Sequence, residues 1–274
     1  MGLRIPCAYQ SSCNDINSEL NYMKKKSIST EQALRYNRQI LLQGFDLQKQ
    51  ETLINTRALV IGAGGLGCAA LQYLAAAGIG AVTIVDDDTV ETTNLQRQIL
   101  HYETSVGNKK VDSAARTLRQ INRFLEITTI DRRLSQSALE IEVQKHDIVL
   151  DCSDNLRARN QINDVCYAHN TALVSGAAIR MEGQIFCVIP HRKTACYRCI
   201  SHYFGEQHLT CVESGVMSPI VGIIGAMQAL ESIKIVTNYG EPTGNNLHIF
   251  DGMSSQWQVI NVNPQATCPT CCQA

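Results

Sequence analysis

The sequence predicts an α/β protein with a Rossmann-like, doubly wound and mostly parallel sheet that continues into antiparallel strands. The first observation behind this prediction is the alternation of short apolar strands with helical segments between residues 57 and 177. Such alternation is typical of parallel sheets covered by helices. The second is the segment ALVIGAGGLG (58–67), in which an apolar strand runs into a glycine-rich turn, and the next strand ends in the acidic run DDD (86–88). This order of features is typical of a dinucleotide-binding βαβ unit.

The individual elements follow from local patterns. Ser29 and Thr30 precede a short helix over 31–40 as its cap, and a second helix is expected over 47–55. Strands are predicted at 57–62, 81–86, 126–131, 146–154 and 172–177, with helices at 66–80, 108–122 and 155–170. Beyond residue 177 the pattern changes to longer, antiparallel strands at 179–189 and 246–262, around an apolar helix at 218–237.

The chain is expected to form one domain over residues 28–274, because no internal repeat or linker divides it. Its nucleotide-binding part is expected at about 28–177, and a smaller C-terminal part at about 178–274. Residues 1–27 are polar, contain the basic run KKK (24–26) and show no periodicity. They are expected to be a poorly ordered N-terminal extension.

The composition argues against several classes of function. The net charge is −1, which gives no electrostatic reason for a nucleic-acid or membrane-surface partner. The longest apolar stretch, 218–230, is shorter than the roughly 20 residues that a membrane span needs, and is interpreted as a buried helix. The chain has 12 cysteines but no visible secretory signal. This combination favours thiols and metal ligands over disulfides and predicts a cytoplasmic location.

The glycine-rich turn predicts a nucleotide phosphate site. Gly62, Gly64 and Gly67 fit the pattern G-x-G-x-x-G, with Gly65 as an additional glycine. Such glycines allow a tight turn, close backbone approach to phosphate and close packing of helix on strand. Asp86 ends the second strand, where a carboxylate can accept ribose hydroxyls. A turn that only packs tightly is the structural alternative, and the motif alone does not separate NAD from ATP.

Polar residues after the strands favour ATP. Asn94, Arg97 and Gln98 follow the acidic strand end, and Lys110 begins the next helix. Two cations near one phosphate chain suit substitution at phosphorus. Asp154 follows the strand HDIVLDCSD, where open α/β sheets bind ligands, and is a candidate ligand of Mg²⁺. Each residue alone would be interpreted as surface charge; their common position after parallel strands favours a shared site.

Two C-x-x-C motifs predict a structural zinc site. CYRC supplies Cys196 and Cys199, and CPTC supplies Cys268 and Cys271. Four thiolates are the ligand set of a tetrahedral structural zinc. Unrelated thiols and a redox pair are the alternatives, although no thioredoxin-like pattern accompanies the motifs. Cys272, next to Cys271, is a candidate substitute ligand.

Several motifs in order carry a family resemblance. They are RYNRQILL (35–42), GAGGLG (62–67), NLQRQIL (94–100), DCSDN (151–155), SGAAIRMEGQI (175–185), CYRC (196–199), TCVESGV (210–216) and CPTC (268–271). With them the chain resembles the MoeB/ThiF/HesA family, relatives of the ubiquitin-activating enzymes. RYNRQ and SGAAIRMEGQ are most similar to the molybdopterin-synthase sulfur-carrier adenylyltransferases. DGMSSQWQ (251–258) is more similar to the thiamine-pathway members.

The resemblance implies a reaction. ATP and the C-terminal glycine carboxylate of a small ubiquitin-like sulfur carrier give an acyl-adenylate and pyrophosphate, in molybdenum cofactor biosynthesis or, as the alternative, in the thiamine pathway. In this reaction Gly64 and its neighbours bind the nucleotide, Asp86 takes the ribose, and Asp154 is the carboxylate on the Mg²⁺ side. Asn94, Arg97 and Lys110 hold phosphates. The C-terminal part then binds the carrier and zinc.

The resemblance also implies a homodimer and a contested cysteine. Arg38 of RYNRQ is expected to reach the ATP site of the partner subunit. Cys211 stands where family members that form covalent sulfur or acyl links keep a cysteine, so it is a candidate for sulfur transfer, with a simple loop thiol as the alternative. The Gly-Gly tail of the carrier is expected to enter past Arg180 and the loop that ends at Cys211.

Two functions of other classes remain as alternatives at this stage. An NAD-binding oxidoreductase would rest on the glycine pattern alone, and no histidine stands at a convincing position for its acid/base chemistry. A non-catalytic, zinc-containing binding protein would show no response to nucleotides.

Overall fold

An eight-stranded sheet forms the centre of the described part of the chain, residues 25–201 and 215–272 of a computed structural model. The strands are β1 (Arg57–Ile61), β2 (Ala81–Val85), β3 (Glu126–Ile130), β4 (Ile148–Asp151), β5 (Ala172–Ile179), β6 (Glu182–Val188), β7 (Asn246–Asp251) and β8 (Gln256–Asn261). Their order across the sheet is β3-β2-β1-β4-β5-β6-β7-β8. Neighbours from β3 to β5 are parallel and those from β5 to β8 antiparallel. The predicted fold class is confirmed.

Helices cover both faces of this sheet. They are α1 (Thr30–Arg35), α2 (Asn37–Ile40), α3 (Asp46–Ile54), α4 (Gly65–Ala77), α5 (Lys110–Ile121), α6 (Gln136–Gln144), α7 (Leu156–Ala168), α8 (Tyr197–Ser201) and α9 (Ser218–Thr237). Successive strand side chains point to opposite faces. In β1, Ala58 and Val60 pack into a core with α4, α5 and α9, whereas Leu59 packs into a second core with α6 and α7.

Helix α9 confirms the predicted apolar helix at 218–237. By length and composition alone it would be long enough to cross a membrane, but half of its most apolar stretch is buried within the protein. It packs closely along α4, because a Cβ on Gly225 would lie 2.8 Å from the Cβ of Ala69 and overlap the carbonyl oxygen of Leu66. We therefore interpret α9 as a core helix.

One helix was not predicted from the sequence, and two local predictions need correction. The segment between β3 and β4 contains a helix, α6, which begins at a cap where the Ser135 hydroxyl accepts a hydrogen bond from the Ala138 amide. The single strand expected over 246–262 is a hairpin, β7 and β8, and its turn contains the D-G dipeptide at 251–252 and Ser255 with φ of 58°. Strand β5 extends to Ile179, and the turn to β6 passes through Arg180, whose φ is 53°.

The predicted N-terminal extension lies mostly outside the described residues, which begin at 25. Lys26 is already attached to the domain. Its amide donates to Asn55 Oδ1 at 2.7 Å, and its ammonium pairs with Glu126 at 2.5 Å. The described part of the chain therefore begins next to the amino ends of β1 and β3.

Candidate functional site

A cleft of about 1010 Å³ opens at the carboxyl ends of the parallel strands. It is lined by the ends of β1 and β4, which are neighbours in the sheet although β2 and β3 come between them in sequence. From β1 the chain first adds β2 and β3 on one side and then returns to add β4 on the other side, so the strand order reverses between β1 and β4. Such switch points are where open α/β sheets bind ligands.

The glycine turn lies in this cleft and requires its glycines. Gly62 has a φ of +102°, and a Cβ there would lie 2.6 Å from the carbonyl oxygen of Cys152. A Cβ on Gly67 would overlap the carbonyl oxygen of Gly62. Gly64 caps α4, which begins at Gly65, and has no side chain to bond the amides of the first turn. The N-terminus of α4 can therefore bind an anion at the cleft.

Asp86 is positioned by the same turn. Its Oδ2 accepts a hydrogen bond from the Ala63 amide at 2.7 Å, and its Oδ1 accepts one from the Asp88 amide at 2.9 Å. Asp88 in turn pairs with Lys110, whose Nζ lies 2.7 Å from Oδ2. Lys110 is buried at the start of α5 and lines the cleft. The acid at the strand end and the predicted phosphate lysine therefore belong to one connected set of contacts.

Asn94, Arg97 and Gln98 also line the cleft. Asn94 is buried, and its Oδ1 accepts from the Glu91 amide at 3.0 Å, which fixes the short 3₁₀ turn after β2. Arg97 Nη1 donates to the Thr93 carbonyl at 3.1 Å. Gln98 is 3% exposed, and its Oε1 has no hydrogen-bond partner in the described part of the protein. A buried acceptor without a partner is costly. This oxygen is therefore suited to accept a hydrogen bond from a donor group of a bound nucleotide.

The turn after β4 carries Asp154 into the cleft, where its carboxylate is exposed. This turn is held by Asp151, which is fully buried. Asp151 Oδ1 accepts from the amide and the hydroxyl of Ser153 at 3.0 and 2.6 Å, and its Oδ2 accepts from the Ser175 hydroxyl at 2.9 Å. Sequence reasoning missed this supporting role, although Asp151 belongs to the same DCSD segment.

Three predicted residues lie elsewhere. Arg38 is exposed on α2 and is not among the residues that line the cleft of its own chain. Arg180 is exposed at the turn between β5 and β6, and its backbone pairs with Gly215 and Met217, where the described chain resumes. Cys211 lies outside the described residues.

The four predicted metal ligands come together. The sulfur atoms of Cys196, Cys199, Cys268 and Cys271 all lie within 4.8 Å of one another. Burial raises the pKa of the Cys196 thiol to about 12, so a thiolate at this position calls for a compensating cation. The donor set and its spacing fit a tetrahedral zinc. Cys272 is exposed and outside the cluster, with its Sγ 2.7 Å from the Gln265 carbonyl oxygen.

Asp164 on α7 joins the two C-x-x-C turns, a role that sequence reasoning missed. Its carboxylate accepts from Arg198 of the first turn at 2.8 and 2.5 Å and from the Thr270 hydroxyl of the second at 2.6 Å. Burial alone would raise the pKa of Asp164, but the hydrogen bonds from Arg198 and Thr270 hold it below its usual value. The carboxylate is thus kept ionised beside the cysteine cluster.

The doubly wound sheet, the glycine turn at the switch point and the cations beside it define a nucleotide-binding α/β protein. The model of the ThiF family matches residues 36–270. The chain belongs to the ThiF family. The resemblance inferred from the sequence motifs is thereby confirmed.

Relatives with curated names match along nearly the whole chain. The molybdopterin-synthase adenylyltransferase of Salmonella typhimurium is 48% identical over 246 residues, which cover 90% of this chain and 99% of the relative. The sulfur carrier protein ThiS adenylyltransferase of Escherichia coli is 40% identical over 238 residues, covering 87% and 94%. A crystal structure of E. coli MccB with ATP has a TM-score of 0.77 at 25% identity, covering 86% of this chain and 74% of MccB.

Proposed function

We propose that the protein adenylates the C-terminal glycine of a small ubiquitin-like sulfur-carrier protein with ATP and releases pyrophosphate. The observation that carries this proposal is a single cleft lined by the glycine turn, Asp86, Arg97, Lys110 and Asp154. The two curated relatives named above are adenylyltransferases, one named for molybdopterin synthase and the other for ThiS. The oxidoreductase alternative rests on the glycine turn alone and has no support from these relatives.

The nucleotide half of the cleft suits ATP. Backbone amides at the start of α4 would bind phosphate, and the Asp86 carboxylate at the end of β2 would accept the ribose hydroxyls. Asn94, Arg97 and Lys110 line the wall where the triphosphate would extend. Their role is to position the α-phosphate and to neutralise charge that develops as pyrophosphate leaves.

Asp154 would hold Mg²⁺, which when bound neutralises phosphate oxygens and orients the leaving group. The exposed carboxylate on a turn fixed by Asp151 fits this role, because oxygen ligands suit a hard cation. No protein nucleophile is required, since the carrier's own carboxylate attacks the α-phosphorus. The protein's task is therefore to align the two substrates and to exclude other acceptors.

The other half of the cleft suits an extended glycine tail. It continues from the nucleotide wall along the antiparallel strands, where Ala177, Ile179, Gln184 and Ile249 line it. A tail of two glycines has no Cβ and can lie close to backbone at such a wall. Arg180 at the β5–β6 turn would border the entrance.

The molybdopterin-synthase carrier is the preferred substrate in this proposal. The relative named for molybdopterin synthase is 48% identical, and the one named for ThiS is 40% identical. The motifs RYNRQ and SGAAIRMEGQ favour the molybdopterin-synthase carrier, and DGMSSQWQ favours the thiamine-pathway carrier. The thiamine-pathway carrier therefore stays as the second candidate.

Two assembly features belong to the proposal. A zinc ion bound by Cys196, Cys199, Cys268 and Cys271 would attach the C-terminal segment to the middle of the chain. A homodimer would bring Arg38 of one subunit to the ATP site of the other. This arrangement agrees with the exposed position of Arg38 outside its own cleft.

Carrier-dependent ATP–pyrophosphate exchange tests the function. The purified protein is mixed with ATP and with either the molybdopterin-synthase carrier or ThiS, each beside a version that lacks the terminal glycine. Exchange with one intact carrier and none with its truncated form is the expected result. No exchange with either carrier, together with stabilisation by NAD or NADH but not by ATP in thermal unfolding, would replace the proposal by the oxidoreductase alternative.

A further inference from the structure

His101 links the glycine turn to helix α5 from behind the cleft. The residue is 4% exposed and is not among those that line the cleft. Its Nε2 lies 3.1 Å from the carbonyl oxygen of Ala63, and its Nδ1 lies 3.0 Å from the hydroxyl of Ser113 on α5. The segment that carries His101 is attached to α5 by a further bond, because the Thr117 hydroxyl donates to the Leu100 carbonyl at 2.8 Å.

The chemistry of these partners fixes the tautomer of the neutral ring. A carbonyl oxygen only accepts, so the Nε2 of His101 carries the proton that bonds Ala63. The Nδ1 then accepts the hydroxyl proton of Ser113. Burial lowers the pKa of His101, which keeps the ring neutral in this arrangement.

Both polar groups of Ala63 are therefore held by side chains. Its amide donates to Asp86 at 2.7 Å, and its carbonyl accepts from His101 at 3.1 Å and from the Cys68 thiol at 3.3 Å. Ala63 lies between Gly62 and Gly64, and Gly64 caps α4. Ala63 therefore stands directly before the residue that caps α4.

We propose that His101 is a positioning residue that sets the glycine turn relative to the start of α5, and so the phosphate-binding amides relative to Lys110. Ser113 stands one turn after Lys110 on the same helix, so the chain of contacts from Ala63 through His101 reaches the lysine through a rigid element. The identity of the nucleotide as ATP rests on the proposed function, whereas the positioning role rests on these contacts.

Two substitutions of His101 with side chains of similar volume separate the effect of its hydrogen bond to Ala63 from the effect of packing. In His101→Gln the side-chain amide can replace the Nε2 donor, whereas His101→Met fills a similar volume without a donor. ATP binding to each full-length variant is measured by calorimetry without carrier. We expect His101→Gln to bind ATP within about threefold of the wild type and His101→Met to bind about tenfold more weakly. Ser113→Ala should weaken binding by about threefold.

A histidine away from the cleft supplies the control. His146 is half-buried and also makes two hydrogen bonds, to Thr83 and to the Glu142 carbonyl. His146→Met should leave ATP affinity within about twofold of the wild type. Equal affinity of the Gln and Met variants of His101, or an equal loss in His146→Met, would overturn the positioning role.

A second measurement needs no nucleotide. Hydrogen exchange of a peptide that contains residues 62–67 should be faster in His101→Met than in His101→Gln, because the turn loses its hydrogen bond from the imidazole. Equal exchange in the two variants would also overturn the proposal. If the Met variant does not fold, Ser113→Ala carries the same comparison against the wild type, and unchanged exchange and affinity there would refute the role. Wild-type protein that binds ATP but shows no carrier-dependent exchange would refute the proposed function and leave this test intact.

Discussion

The Sγ atoms of Cys196 and Cys268 lie 3.5 Å apart although the two residues are 72 positions apart in the chain. Cys199 and Cys271 form the matching pair, with their Sγ atoms 3.4 Å apart. The two C-x-x-C turns therefore face each other and bring the C-terminal segment back onto the second core. The chemistry of this contact gives the first prediction.

We expect one zinc ion per chain, and Cys199→Ala should lower the free energy of unfolding by about 4 kcal/mol or more, because a structural metal contributes directly to folding. Elemental analysis and chemical denaturation are the measurements. Cys272→Ala is the matched control, since Cys272 follows the proposed ligand Cys271 in sequence but lies outside the cluster. This substitution should change neither the metal content nor the free energy of unfolding. Protein purified without chelator that contains well under one equivalent of metal would contradict the site.

Asp164→Ala should lower the free energy of unfolding by about 1–3 kcal/mol, because it leaves Arg198 and Thr270 without their common acceptor. Release of the metal to a chelator should also become faster. The control is Glu31→Ala, which removes a well-exposed ion pair with Arg123 and should cost about 1 kcal/mol or less. Equal effects of the two substitutions would show that Asp164 does not support the cysteine cluster.

Arg97→Ala and Asp154→Ala should each reduce carrier-dependent pyrophosphate exchange by about a hundredfold or more, because preorganised charge acts where the transition state develops charge. Arg119→Ala and Asp112→Ala are matched controls on the exposed side of α5, outside the cleft. They should keep nearly full exchange. If Arg97→Ala and Asp154→Ala are as active as these controls, both residues are removed from the proposed active site.

Arg38→Ala should abolish exchange, because Arg38 is proposed to act in the ATP site of the partner subunit. Complementation between two inactive variants tests this directly. Arg38→Ala and Asp154→Ala protein, each inactive alone, are coexpressed so that mixed dimers form. A mixed dimer has one site with both residues intact, so random pairing should restore about a quarter of the wild-type activity. Recovery of no activity, in dimers that are verified by mass, would mean that Arg38 does not act across the interface.

Cys211→Ala should keep carrier-dependent AMP formation, because a thiol is not needed for attack of a carboxylate on phosphorus. Deletion of the carrier's last glycine should abolish it, and this deletion is the matched negative control. Later sulfur transfer is measured separately and is allowed to depend on Cys211. A Cys211→Ala protein that is folded and zinc-loaded but forms no acyl-adenylate would place the thiol in the first step.

Contiguous motifs made much of the site predictable. Gly62, Gly64 and Asp86 were identified from sequence because a strand, a tight turn and a strand end impose their residue types within a short stretch. The cysteine cluster was identified because two C-x-x-C pairs are informative even when their distance in the chain is large. The hairpin at 246–261 and helix α6 were missed, since short apolar segments fit both longer strands and loops when only local periodicity is read.

The supporting residues depended on contacts that no local pattern encodes. Asp164 and His101 look in sequence like a surface acid and an ordinary loop histidine. Each acquires its role only when the fold brings distant partners to it: Arg198 and Thr270 for Asp164, Ala63 and Ser113 for His101.

By itself the sequence determined the fold class, the glycine turn and the pairing of the two C-x-x-C motifs in one cluster, because backbone conformation and side-chain chemistry restrict residue type position by position. Only the tertiary structure decided which side chains hold those groups in place. A hydrogen bond of about 3 Å is set by the packing of whole elements, and in this protein the elements that meet at Ala63 and at the cysteine cluster come from segments far apart in the chain.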